Sequence, residues 1–176
     1  PRLHGLCSHI YWILLRKAEY RHVRLADVHD KATRSRNMAA IRATNTKPEL
    51  IIRKGLHASG FRYRLHAKEL PGKPDLVLAK YHAVIFINGC FWHGHDCHLF
   101  HWPATRKEFW REKIGGNIAR DERNHTELRN AGWRIALIWE CALKGKTRRS
   151  SGEVIDTLGR WLLTDDRELQ IRGVQI

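Results

Sequence analysis

Acidic side chains are scarce in this chain. Its 176 residues carry 18 Asp and Glu against 32 Lys and Arg, a formal charge of +14. The shortage argues against an enzyme for neutral small molecules and for a polyanionic partner, nucleic acid ahead of an anionic membrane surface. Long apolar runs are missing too. Ile10–Leu15, the longest near the start, falls far short of the ~18 residues of a membrane span. No small-residue cleavage site follows it, and no secretory signal is expected. Cysteine is limited to Cys7, Cys90, Cys97 and Cys141, in a pattern unlike a disulfide-stapled secreted domain. Repeats and low-complexity segments are absent as well. One domain with attached tails, large enough for a real core, is the simplest organisation.

The unusual chemistry that is present concentrates in Val84–Phe100. An apolar run, Val84–Ile87, turns through Asn88-Gly89 into Cys90, Phe91, Trp92, His93, His95, Asp96, Cys97, His98 and Phe100. Thiolates and imidazoles suit zinc, exposed aromatics suit stacking on bases, and a His near an acid suits phosphodiester chemistry. Histidine beside cysteine also favours reduced, metal-binding thiols in a cytoplasmic protein.

Elsewhere the pattern predicts alternating elements. Residues 1–24 read as an extension outside the fold, either upstream translated or disordered, with a start near Leu25. Asp30–Ala43 is a short basic helix or a DNA-contacting arm, in which Arg34, Arg36 and Arg42 suit phosphates. Thr46 and Glu49 flank Pro48 as a capping box for a helix ending near Gly60. Phe61–Leu65 alternates like a half-buried strand, Asp75–Leu78 opens a second, and Lys80–His82 links it to the third. A long helix is predicted from Thr105, capped through Glu108, to Ala131, with Gly132 ending it. Trp133–Trp139 reads as a buried strand, Val154–Leu163 as a last helix, and residues 166–176 as a loose tail. The order gives a mixed α/β domain over residues 25–165, a sheet covered by helices.

Several side chains carry two readings. Asp75 either caps a turn or presents a carboxylate to Mg²⁺, with a backbone carbonyl near Ile87 as a second oxygen donor. Glu49 is a cap partner or part of a metal shell. Cys90, His95, Cys97 and Cys141 form a Cys3His donor set suited to structural zinc, or else three buried thiols and a surface His. His93 is the candidate base or proton shuttle. Phe91 and Trp92 are core aromatics or a wedge between base pairs. Asp121 is a solvated helix charge unless that helix turns it toward His93.

Taken together, Phe86-x-x-Gly89-Cys90-Phe91-Trp92-His93-Gly94-His95-x-Cys97, Pro71-Gly72-Lys73-Pro74-Asp75 and Trp139-Glu140-Cys141-Ala142 closely resemble the very short patch repair DNA mismatch endonuclease family. Ala26-Asp27-Val28-His29-Asp30-Lys31-Ala32-Thr33-Arg34-Ser35 and Pro103-Ala104-Thr105-Arg106 extend the resemblance over about residues 25–165. It implies a restriction-endonuclease-like fold and a Mg²⁺-dependent nick 5′ to the T of a T·G mismatch left by 5-methylcytosine deamination. Two Mg²⁺ ions are implied at Asp75, with His93 assisting water, Asp121 supporting His93, and Glu49 in the outer site. Zinc is implied at Cys90, His95, Cys97 and Cys141, and intercalation at Met38, Phe91 and Trp92. Mismatch-repair proteins and a repair polymerase are implied partners, and a monomer is expected. The rival readings are a zinc-stabilised DNA-binding module without catalysis and a restriction-type nuclease for matched duplex.

One position departs from part of the family. Some members carry His where this chain has Asn88, before Gly89-Cys90. Asn can hydrogen-bond to DNA but cannot act as a base near neutral pH, which leaves more of the proton transfer to His93.

Overall fold

The computed structural model describes Asp30, Ala32, Thr33, Ser35, Arg36 and residues 44–174. Residues 1–24, Arg34 and Met38, all singled out above, lie outside the described residues. The chain divides into two compact units, Pro1–Arg36 and Asn37–Ile176. In the first, the Thr33 amide donates to Asp30 Oδ1 at 2.6 Å, an N-cap that starts a helical turn carrying the exposed Arg36.

Among the described residues of the second unit the α-helices and strands follow in chain order: α1 (Lys47–Ala58), β1 (Arg64–Leu65), β2 (Leu76–Leu78), β3 (Ala83–Asn88), α2 (Lys107–Asn130), β4 (Arg134–Trp139), α3 (Ser151–Leu162) and β5 (Glu168–Ile171). The strands form one mixed sheet in the order β1-β2-β3-β4-β5. β1, β2 and β3 pair antiparallel, whereas β3, β4 and β5 pair parallel.

Period-two alternation sorts the strands onto two apolar faces. Leu76, Leu78, Ile85, Ala136 and Ile138 join Ile52 and Leu56 of α1 and Val154, Leu158, Trp161 and Leu162 of α3. Val77, Val84, Phe86 and Ile135 face the other way, against Leu128 of α2. Coverage on both sides explains why β3 and β4 read as continuous apolar runs instead of alternating with polar residues. Gly55 lets α1 and α3 approach closely: a Cβ there would lie 2.4 Å from Ile155 Cδ1. Any larger residue requires the Ile155 side chain to move or the helices to part.

Local differences from expectation have physical reasons. Thr46 does cap α1, accepting from the Glu49 amide at 3.4 Å, but the Glu49 carboxylate turns to Arg53 and His66. The strand expected over Phe61–Leu65 pairs only at Arg64–Leu65, and left-handed His66 follows its last residue. The link between β2 and β3 is a 3-10 turn, Ala79–Tyr81, closed by left-handed His82. Thr105 does not cap α2. Arg106 takes the N-cap position with φ +52 and lays its guanidinium 4.2 Å over the Phe109 ring. The tail expected to be loose instead supplies β5, parallel to β4 and anchored by buried Ile171. No helix among the described residues is long and apolar enough to cross a membrane.

Candidate hydrolytic cleft and Cys3His cluster

β3 delivers its last residue, Asn88, into the ladder opposite Trp139, and the chain then leaves the sheet. Gly89, Cys90 and the following loop fold back over the N-terminal half of α2. Two contacts fix them there. Asn117 Nδ2 donates to the Trp92 carbonyl at 2.8 Å, and Gly94, at φ +59, brings its backbone against Ile114 and Ile118. That docking separates the loop into two chemical regions.

The inner region is a Cys3His cluster. Cys90, His95, Cys97 and Cys141 place their donor atoms within 4.8 Å of one another. His95 Nδ1 lies 3.5 Å from Cys90 Sγ and 3.7 Å from Cys141 Sγ. Zn–S and Zn–N bonds at tetrahedral angles require an S···N edge of about 3.6 Å, and the donor set fits that ion. Backbone amides support the sulfurs: Cys141 N donates to Cys90 Sγ at 3.4 Å, and Gly173 N to Cys141 Sγ at 3.3 Å. The His95 ring stacks on Trp139 with 4.0 Å between centroids. Burial lowers the His95 pKa to about 4, with Arg172 adding to the effect, which keeps the imidazole neutral and able to ligate. Burial pushes the Cys90 and Cys141 thiols up, and a cation would offset that cost by holding them as thiolates.

The outer region is a cleft of about 710 Å³ lined by Asp75, Ile87, Asn88, His93, Asp121 and His125, with Lys68, Lys73 and Arg120 at its edge. Asp75 follows the Pro71–Pro74 loop, and its Oδ2 accepts from the Ile87 amide at 2.7 Å. Burial raises its pKa to about 6. The Ile87 bond opposes that shift, and neighbouring Glu49 adds to it. A desolvated carboxylate facing a second carboxylate is a place where a hard cation relieves repulsion.

Glu49 is 2 % exposed, 3.1 Å from Arg53 Nη1 and 3.3 Å from His66 Nε2. α2 does turn Asp121 toward His93, whose Nδ1 is 2.5 Å from Asp121 Oδ2. An acid at Nδ1 fixes the ring and leaves Nε2 as the nitrogen able to take a proton. Asn88 is 7 % exposed and lines the same cleft.

Phe91 and Trp92 belong to neither region. They join an aromatic cluster with Phe100, Trp102, Phe109 and Trp110, in which Phe91 lies 5.1 Å from Trp92 and 5.3 Å from Trp110. Trp102 is 54 % exposed at its edge.

The structure therefore brings Glu49, Asp75, Ile87, Asn88, His93 and Asp121 to one place and the four Cys3His donors to another. Sequence reasoning missed His66, His125, Arg120 and the Lys68 and Lys73 rim. His125 had a signal, since it sits one helical turn after Asp121 on the same face. Burial lowers its pKa, and Asp121 opposes that shift. His66 had none.

A mixed sheet with acids and a His–Asp pair in an open, basic-rimmed cleft, beside a Cys3His cluster that could hold a metal, has the groups that hydrolytic chemistry needs. Comparison with known proteins narrows the class. Residues 26–99 match the family model described as DNA mismatch endonuclease Vsr. The chain is 46 % identical over 147 residues to the DNA mismatch endonuclease Vsr of Escherichia coli K12, covering 84 % of this chain and 94 % of that one. It is also 47 % identical over 122 residues to the Type II nicking enzyme V.NmeAIP of Neisseria meningitidis serogroup A, covering 69 % and 87 %. The chain belongs to the DNA mismatch endonuclease Vsr family, a family of DNA endonucleases.

Proposed function

We propose that this chain nicks one DNA strand on the 5′ side of the T in a T·G mismatch, by Mg²⁺-dependent hydrolysis, and so starts very short patch repair. The observation that carries this reading is the convergence of Asp75 and the His93–Asp121 pair in one cleft with a basic rim, with buried Glu49 near Asp75 across His66. The sheet, with α1 leading into β1–β3 and α2 crossing to β4, supports a restriction-endonuclease-like core.

Asp75 and the Ile87 carbonyl would hold the catalytic Mg²⁺, with Glu49 in the outer site. The N–H and C=O of an extended residue point to the same strand edge, and the Ile87 amide already faces Asp75. The metal supplies polarisation of the phosphate and stabilisation of the leaving oxygen. His93 takes a proton from the attacking water through Nε2, while Asp121 holds the ring and stabilises the imidazolium. Lys68, Lys73 and Arg120 attract the phosphates, and Arg34 and Arg36 add contacts that carry no sequence information.

Phe91 and Trp92, with Met38, act as the wedge that opens the stack at the mismatch. The aromatic cluster behind them holds the two rings in place against the unstacking load. Asn88 supplies a donor and an acceptor to the bound strand at the cleft. Zinc at Cys90, His95, Cys97 and Cys141 performs no step; it fixes the loop that carries both wedge and base.

The test incubates labelled duplexes, T·G and T·A in several sequence contexts, with Mg²⁺. Cleavage of the T strand in T·G duplexes alone is expected. Equal cutting of T·A, or binding with no nick at any Mg²⁺ concentration, would falsify the proposal.

A further inference from the structure

We infer that His66 is a positioning residue of the cleft: its two ring nitrogens stand between Glu49 and Asp75 and hold the two carboxylates in a fixed relation for a divalent cation. The inference rests on the endonuclease reading above and adds a residue to it.

Four observations converge on this side chain. His66 Nε2 lies 3.3 Å from Glu49 Oε1. On the other edge of the ring, Nδ1 lies 3.9 Å from Asp75 Oδ1. That is beyond hydrogen-bond reach, and the ring flanks Asp75 there without bonding to it. The backbone is tied to the same acid, since the His66 amide donates to the Asp75 carbonyl at 3.2 Å. Finally, His66 holds φ +47, left-handed for a residue with a β-carbon.

A left-handed L-residue is strained because its Cβ crowds the following carbonyl oxygen. Such conformations persist where the surroundings over-determine them, often at functional sites. Glycine would end β1 here without that cost. The position nevertheless carries an imidazole, 31 % exposed and placed beside two carboxylates. What the ring does offer is connection. Glu49 starts α1, Asp75 precedes β2, and Asp75 Oδ2 is already committed to the Ile87 amide. Without His66, Glu49 would keep Arg53 as its ion-pair partner among the described residues, and the spacing between the two acids would depend on side-chain rotamers.

The test uses the full chain as His66→Gly, His66→Asn and His66→Gln. Gly and Asn both suit a left-handed backbone, and neither spans Glu49 and Asp75. Gln keeps an N–H donor on a side chain long enough to lie beside Glu49. Three readouts are taken: thermal unfolding without added divalent ion, Mn²⁺ affinity of the DNA-free protein from the spectroscopic signal of free Mn²⁺, and half-saturating Mg²⁺ for nicking a T·G duplex.

Expected are an unfolding temperature equal to or above wild type for His66→Gly, with Mn²⁺ affinity and Mg²⁺ requirement each worsened by about 10-fold, the usual size of a supporting-contact effect. His66→Asn is expected to match it, and His66→Gln to recover most of the loss. Unchanged Mn²⁺ affinity and Mg²⁺ requirement in both His66→Gly and His66→Asn overturns the inference, whatever happens to stability. Should wild type fail to nick any duplex, the endonuclease reading falls, while the Mn²⁺ measurement still decides the role of His66.

Discussion

The two regions built from the loop after β3 differ in where their charge is neutralised. The Cys3His cluster is closed: its sulfurs accept from Cys141 and Gly173 amides, and His95 is stacked against Trp139. The cleft is open, its acids lie on separate elements, and its positive charge stands at the rim on Lys68, Lys73 and Arg120. A closed donor set suits an ion that never leaves. An open one suits an ion and a substrate that exchange with each turnover. Gly94 is the only residue separating His93 of the cleft from His95 of the cluster. On the proposed function, a permanent site would aim a transient one.

The largest expected effect should break the comparison from the cleft side. His93→Ala is expected to lower single-turnover nicking by about 10³-fold, the range for removing a positioned base, and to leave zinc content at one per chain. Asn88→Ala, at a position that cannot act as a base, should slow nicking less than about 10-fold. Equal losses for the two variants in the same assay would refute the assignment of the base to His93.

From the other side, Cys141→Ala should remove the metal from the cluster and destabilise the domain by about 3–5 kcal/mol, as expected when a buried, coupled set loses one member. Zinc content and urea unfolding measure the two consequences together. A variant that keeps its zinc and unfolds like wild type would show that Cys141 is only a buried thiol. Nicking should fall with stability here, whereas in His93→Ala it should fall alone.

The same contrast explains what could be read in advance. The four Cys3His donors were legible because a closed site fixes residue type, and three of them fall within one short loop. The strands β3 and β4 were legible because burial on both faces demands unbroken apolar runs. β5 was not: Glu168–Ile171 buries only Ile171 and needs the edge of β4 already in place. The cap of α2 was misplaced because Thr105-x-x-Glu108 satisfies the capping pattern, yet Arg106 gains the Phe109 face by turning left-handed. His66 was silent for a related reason. Its function lies in two through-space contacts, and its spacing along the chain from Glu49 or Asp75 follows no helical or strand period.

Asp75 sharpens the comparison by pH. Its carboxyl is raised to about 6, chiefly by burial. The folded state thus binds its proton more tightly than the unfolded state does. The associated stability is fully present below the ordinary carboxylate value near 3.8 and is lost as pH rises through about 6. Without added Mg²⁺, Asp75→Asn should therefore be more stable than wild type at pH 8 by about 1–3 kcal/mol, with the difference vanishing near pH 4. Adding Mg²⁺ should narrow the gap by stabilising wild type alone. Denaturant unfolding across pH tests both statements, and a variant no more stable than wild type at pH 8 would contradict the desolvation account.

The smallest effect is the most informative about how the two regions communicate. Gly94 holds φ +59, and a Cβ there would meet Ile118 Cδ1 at 2.8 Å and Ile114 Cγ2 at 3.0 Å. Ile118 is exposed and its terminal methyl can swing away, whereas Ile114 is buried and cannot. Gly94→Ala should cost about 1–2 kcal/mol, mostly from the left-handed backbone, and should lift the loop from α2. Two neighbours compete to absorb that shift. His95 is stacked on Trp139 at 4.0 Å and grouped with three cysteine donors that a zinc ion would tie together, while the His93 ring has the Asp121 contact and a more distant edge contact with Trp139. The weaker restraint yields first. Zinc content is therefore expected to stay at one per chain while nicking falls several-fold, and the loss should appear in the single-turnover rate and not in DNA affinity. Zinc loss at unchanged nicking would reverse the order of rigidity argued here and make the cluster, not the cleft, the yielding partner.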